Sequence, residues 1–170
     1  AIAFGANGEF YVVDNGAADF GHNHARVVKF SKDGKVLMDI GKRGTGPGEF
    51  MGPDSLDVDS QGRLYVVDGG GKNPARIQVF DKGGKYLKQI ALFRPEAGLQ
   101  YGEETHPHTI ALSKDEGYVY VVLGGPGKAS EIRTYTVDDG KFVSSWTRPL
   151  GGQPGELWGL HDLSRDTDGN

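Results

Sequence analysis

The sequence contains no cysteine. That excludes a disulfide framework, thiolate zinc sites and thiol catalysis. No apolar run approaches the roughly 18 residues that a membrane-spanning helix needs, so no membrane span is expected. There is also no run of basic residues. Lys and Arg total 19 against 23 Asp and Glu, for a formal net charge of −4. Binding to phosphate backbones rests on clustered Lys and Arg, so no nucleic-acid partner is expected. Gly-x-Ser-x-Gly is missing, as is any Ser/His/Asp cluster. The glycine-rich residues 41–48 lack the Gly-Lys-Ser/Thr ending of a phosphate loop and read as a structural connector. No signal peptide is visible, and Ala1 falls inside an apparent strand, as in a mature or truncated form.

Glycine, by contrast, is plentiful. Its 28 copies among 170 residues are more than twice the ordinary share of about 7 %, and they fall at turn positions rather than in one block. The clearest pattern opens with Gly46-Pro47-Gly48-Glu49-Phe50 and a run over residues 54–59. After Gln61-Gly62 comes Leu64-Tyr65-Val66-Val67-Asp68, then a glycine-rich loop and Arg76-Ile77-Gln78-Val79-Phe80. Gly83-Gly84 then leads into a fourth run at Lys85-Tyr86-Leu87. Short alternating or apolar runs between turn residues predict a four-stranded antiparallel meander.

The same pattern occurs before and after this stretch. Aligning Tyr11 with Tyr65 and Tyr120, and Phe30 with Phe80 and Tyr135, gives a period of roughly 50 to 56 residues. A four-stranded unit of that length is a propeller blade. The expected fold is all-β: a β-propeller segment over residues 1–170 with about three blades, at about 1–40, 54–92 and 108–146. Residues 160–170 read as the opening strand of a further blade, because Gln153-Pro154-Gly155-Glu156-Leu157 repeats the earlier connector. Propellers close with about four to eight blades. The remaining blades are therefore expected from a longer chain or from a second copy.

Strand order locates the candidate chemistry. In an antiparallel meander the tight turns share one face of the ring. The second-to-third loops and the blade connectors share the other, and that loop-rich face is where a site is expected. All five histidines fall there or at its edge. His22 and His24 lie in the first blade's loop, while His106, His108 and His161 sit where inner strands begin. His108 and His161 occupy equivalent positions to within one residue, and Asp54 is the equivalent in the second blade. First strands line a propeller's channel, so these three should rim its mouth. Imidazoles and a carboxylate there suit a divalent metal, zinc first and calcium second. The competing reading is that each residue caps its strand or bonds a connector carbonyl. Asp162 is the weak candidate for a catalytic base or an orienting carboxylate. His22, His24, His106 and Trp158 are candidate ligand contacts. Asp14 and Asp68 end second strands and are expected to cap the loop that follows. Arg26 and Arg76, opening third strands, are expected to bond neighbouring loops.

Gly-Pro-Gly-Glu-Phe, the Asp-x-x-Gly turn, Leu-Tyr-Val-Val-Asp and Arg-Ile-Gln-Val-Phe closely resemble NHL repeats, the blades of six-bladed propellers. The resemblance covers nearly the whole chain and is weakest in the third blade, where Leu123 replaces the aspartate. It implies that three blades are half of a six-bladed ring. Pro107-His108-Thr109-Ile110 and Leu160-His161-Asp162-Leu163 also resemble zinc-ligand motifs of the peptidyl-hydroxyglycine amidating lyases, which share this fold. The lyase ligands come from alternate blades, whereas His108 and His161 belong to consecutive ones. A tyrosine expected after Asp68 and an arginine expected after Leu123 are absent. The resemblance thus implies fold and metal ligation and leaves activity open. The leading expectation is a binding module for a peptide, protein or small molecule on the loop-rich face. The alternative is a metal-dependent lyase or hydrolase with its ion at the channel mouth. Similarity to bacterial propellers favours a secreted or periplasmic setting.

Overall fold

The computed structural model describes residues 1–16, 24–70, 73–92, 106–125, 128–157, 159–160 and 162–164. Twelve strands lie in chain order. The first sheet holds β1 (Ile2–Phe4), β2 (Phe10–Asn15), β3 (Ala25–Phe30) and β4 (Val36–Ile40). The second holds β5 (Pro53–Val58), β6 (Leu64–Gly70), β7 (Asn73–Phe80) and β8 (Tyr86–Ala91). The third holds β9 (His106–Leu112), β10 (Tyr118–Gly125), β11 (Lys128–Thr136) and β12 (Phe142–Thr147). Each sheet runs in sequential order with antiparallel neighbours. This is the all-β, three-blade architecture that the repeat pattern predicts. No α-helix occurs among the described residues, and none of their helices is long and apolar enough to cross a membrane.

The tight turns form for local reasons. Gly62 and Gly84 both sit at φ +79°, in the left-handed region that glycine enters without steric cost. Before each stands an aspartate that fastens the turn. Asp59 accepts from the amides of Gln61 (3.0 Å) and Arg63 (2.8 Å), and Asp81 from those of Gly83 and Lys85, both at 2.9 Å. In the third sheet Glu116 adopts φ +58° instead. Its carboxylate reaches the second sheet, accepting from the Ser60 amide at 2.6 Å and the Ser60 hydroxyl at 2.8 Å. A strained turn residue thereby joins two blades.

The core lies between sheets. Strand alternation sends Tyr65, Val67, Ile77 and Val79 of the second sheet against Leu112, Val119 and Val121 of the third. The intervening residues Leu64, Val66 and Phe80 face Tyr11, Val27 and Ile40 of the first. The second sheet is therefore buried on both faces, which explains its near-continuous apolar runs. Phe50, from the connector between β4 and β5, is fully buried in the junction of the first two sheets and stands 5.6 Å from Phe80, ring centre to ring centre.

Candidate functional site

The first strands of the three sheets, β1, β5 and β9, come together as the wall of a groove of about 660 Å³. The segment 162–164 adds a further side. The loop-side end of this wall holds two of the predicted residues. His108 Nδ1 stands 3.8 Å from Asp54 Oδ2, with Asp54 exposed and His108 half-buried. Glycine at position 124 leaves room for the imidazole: an added Cβ there would stand 3.3 Å from both Cδ2 and Nε2 of His108. Asp54 and His108 are thus brought together at the groove mouth.

Deeper in the wall runs a row of polar side chains. Ser55 Oγ lies 3.3 Å from Thr109 Oγ1, and the Thr109 hydroxyl donates to Asp162 Oδ1 at 3.4 Å. Asp162 also accepts from the Leu163 amide at 2.8 Å. These three follow Asp54, His108 and His161 by one residue each, so the row is one repeat position read through successive blades. Ser55 and Thr109 were not among the sequence candidates. Their signal was available as the neighbours, in register, of the residues that were chosen. Next along β5, Asp57 accepts from the Leu112 amide at 2.8 Å and ties the second inner strand to the third.

The other candidates lie elsewhere. His24 Nε2 is 3.0 Å from Asp14 Oδ1 and takes no part in lining the groove. His106 is exposed at the start of β9, opposite Gly124. His22, Trp158 and His161 lie outside the described residues. Among the described residues, no group of three His, Asp or Glu side chains is arranged to hold a metal ion. Catalytic zinc takes three protein ligands, so the Asp54–His108 pair falls one short.

On the loop-rich face, the aspartate–arginine pairs act differently from the expectation for Asp68. Its Oδ1 accepts from the amides of Met51 (2.8 Å) and Gly52 (2.9 Å), which belong to the connector before its blade rather than the loop after β6. Arg76 donates from Nε to Asp68 Oδ2 at 3.0 Å and from its terminal nitrogens to the carbonyls of Thr45 and Glu49. The pair grips the incoming connector, because the alternation that buries Val66 and Phe80 turns Asp68 and Arg76 toward the same junction. In the first sheet, Asp14 accepts from Arg26 Nε at 2.9 Å, and Arg26 also donates to Asp39 at 2.7 Å. Desolvation alone would raise the Asp14 pKa. Hydrogen bonds from Arg26 and His24 outweigh it and hold the carboxyl below its usual range. Arg43 secures the neck of the first blade's loop by donating to the carbonyls of Gly16 (2.9 Å) and His24 (3.3 Å).

A family described as a 6-bladed beta-propeller matches residues 6–73. NHL repeat-containing protein 3 of Homo sapiens is 47 % identical over 171 residues, covering 75 % of this chain and 46 % of the relative. The Mus musculus protein of that name is 31 % identical with the same coverage. The chain thus spans about half the length of these curated relatives. Among solved structures, a gluconolactonase from Xanthomonas campestris superposes with a TM-score of 0.59 at 18 % identity, covering 89 % of this chain and 48 % of that one. At that identity the likeness shows the fold alone.

Proposed function

This chain is a run of NHL-type propeller repeats, and from that premise we propose that it is a binding module that holds a small polar ligand at the loop-side mouth of its inner groove. The observation that carries this reading is the polar wall: the Ser55–Thr109–Asp162 row with Asp54 and His108 above it. Two hydroxyls and two carboxylates present mainly acceptors. They favour a ligand rich in hydroxyl or ammonium donors, such as a sugar or the amino end of a peptide. Inner strands supply all of the wall except Asp162, so those side chains are held by sheet hydrogen bonds rather than by loops.

The test is ligand-detected NMR with a panel of monosaccharides and short peptides, comparing wild type with an Asp54→Ala/Thr109→Val variant. A binder that loses its signal with the variant supports the groove. If every binder is retained equally, or none is found, the reading fails.

A second reading keeps a divalent ion, zinc ahead of calcium, as the centre of a lyase or hydrolase. The Asp54–His108 pair favours it, and His161 would have to supply the third ligand. Elemental analysis beside a His108→Ala/His161→Ala variant decides. Near-stoichiometric zinc that vanishes in the variant would put this reading first. Protein that stays metal-free after zinc supplementation would retire it.

A further inference from the structure

Thr109 has a single hydroxyl proton, and it is committed to Asp162 Oδ1 at 3.4 Å, because a carboxylate only accepts. The 3.3 Å contact between Ser55 Oγ and Thr109 Oγ1 must then carry the Ser55 proton. Both residues are buried, each at 5 % exposure, so neither hydroxyl turns to another partner without breaking the row. The row therefore has a direction, from Ser55 through Thr109 to Asp162. It shows lone pairs rather than protons to whatever enters the groove.

The other polar side chains of the wall add acceptors. Asp54 is exposed, with Oδ2 3.8 Å from His108 Nδ1. The opposite edge of that imidazole, Cδ2 and Nε2, packs toward Gly124. Asp57 accepts from the Val58 amide on Oδ1 and the Leu112 amide on Oδ2, both at 2.8 Å. Among the described residues, both hydrogen bonds to Asp162 reach Oδ1, so Oδ2 is left to accept from a ligand. Three carboxylates thus line the groove, and no Lys or Arg is among the described residues that do. Exposed Ser164 is the remaining hydroxyl. The open edge of an inner strand offers amides and carbonyls in equal number, so the side chains decide the balance. An array of sugar hydroxyls would find partners here for its protons but few for its oxygens, and unmade hydrogen bonds are costly. An ammonium group has three donors and no acceptor to satisfy.

We infer that the groove selects a primary ammonium group over a neutral polyol, with Asp54 and Asp162 supplying the countercharge and the Ser55–Thr109 row the further acceptors. The inference rests on the binding role proposed for the groove and narrows its ligand to one chemistry. Hydrogen bonds from an ammonium to a carboxylate are charge-assisted and about twice as strong as neutral ones. The amino end of a peptide and a free alkylamine both carry this group.

The test is isothermal titration calorimetry on the 170-residue chain with triglycine, N-acetyl-triglycine, butylamine and methyl glucoside. Triglycine should bind, and acetylation, which removes the charge, should weaken it about tenfold or more. Butylamine binding as tightly as triglycine would assign the site to free amines, and triglycine binding alone would assign it to peptide amino ends; either supports the inference. Asp54→Asn, and Asp162→Asn, which keeps an oxygen for the Leu163 amide, should each weaken triglycine with circular dichroism unchanged. Equal binding of triglycine and its acetylated form, or tighter binding of methyl glucoside, overturns the inference. The groove reading survives that result if Asp54→Ala/Thr109→Val abolishes the binding. Triglycine binding that neither asparagine variant weakens also overturns the inference. Silence from all of the probes removes the groove reading and the inference together.

Discussion

Asp14 and Asp68 are the same residue of the repeat in two surroundings, and they separate the electrostatics of burial from those of the surface. Asp68 is fully buried, bonded to two backbone amides and to Arg76. Removing it would leave the Arg76 guanidinium buried without its countercharge, bonded only to neutral groups such as the Thr45 and Glu49 carbonyls, and breaking such a pair costs about 3–5 kcal/mol. Asp68→Ala should therefore lower unfolding stability by that order in a denaturant titration. Asp14→Ala, at a solvated pair, should cost about 1 kcal/mol or less. Equal losses would mean that the connector contributes nothing to the grip. Asp14 also has a pH signature. Its folded pKa lies below the ordinary aspartate value, so its contribution is complete above that ordinary value and fades as pH falls through the lower folded one. Stability measured through this acid range should slope less in Asp14→Ala than in wild type.

Connectors, rather than strands, decide how one blade sits on the next. Gly41 and Gly34 have almost the same backbone, at φ +77° and +78°, yet only Gly41 stands under a packed group. An added Cβ there would come within 2.3 Å of the Phe50 ring, while at Gly34 nothing lies within 4 Å. Gly34→Ala should cost about 1–2 kcal/mol of left-handed strain. Gly41→Ala adds the displacement of a ring wedged between two sheets, about 1–3 kcal/mol more. Thermal unfolding of the two variants side by side checks the difference, and equal shifts would show that Phe50 does not lock the junction. The connector was legible as an element because Gly-Pro-Gly-Glu recurs at 151–157 as Gly-Gly-Gln-Pro-Gly-Glu-Leu. Its fastening was not. Asp68 lies 17 positions after Met51 but eight before Arg76. Sequence distance favours a bond to the loop that follows, whereas the fold brings the earlier connector over the sheet.

At the scale of the molecule, repetition made the fold readable. Three copies of Tyr-Val-Val with turn glycines at fixed offsets fix strand number, order and direction before any contact is known. The groove was half readable. Asp54 and His108 follow from register, but the row of Ser55, Thr109 and Asp162 needed the inter-sheet spacing, which periodicity within one sheet does not contain. The same layering sets the distribution of stability. The second sheet is covered on both sides, so its amides open only when both junctions part, whereas β1 and β12 each lie at one sheet edge with exposed residues such as Phe4 and Trp146. Native-state hydrogen exchange should find β6 and β7 slowest and β1 and β12 fastest.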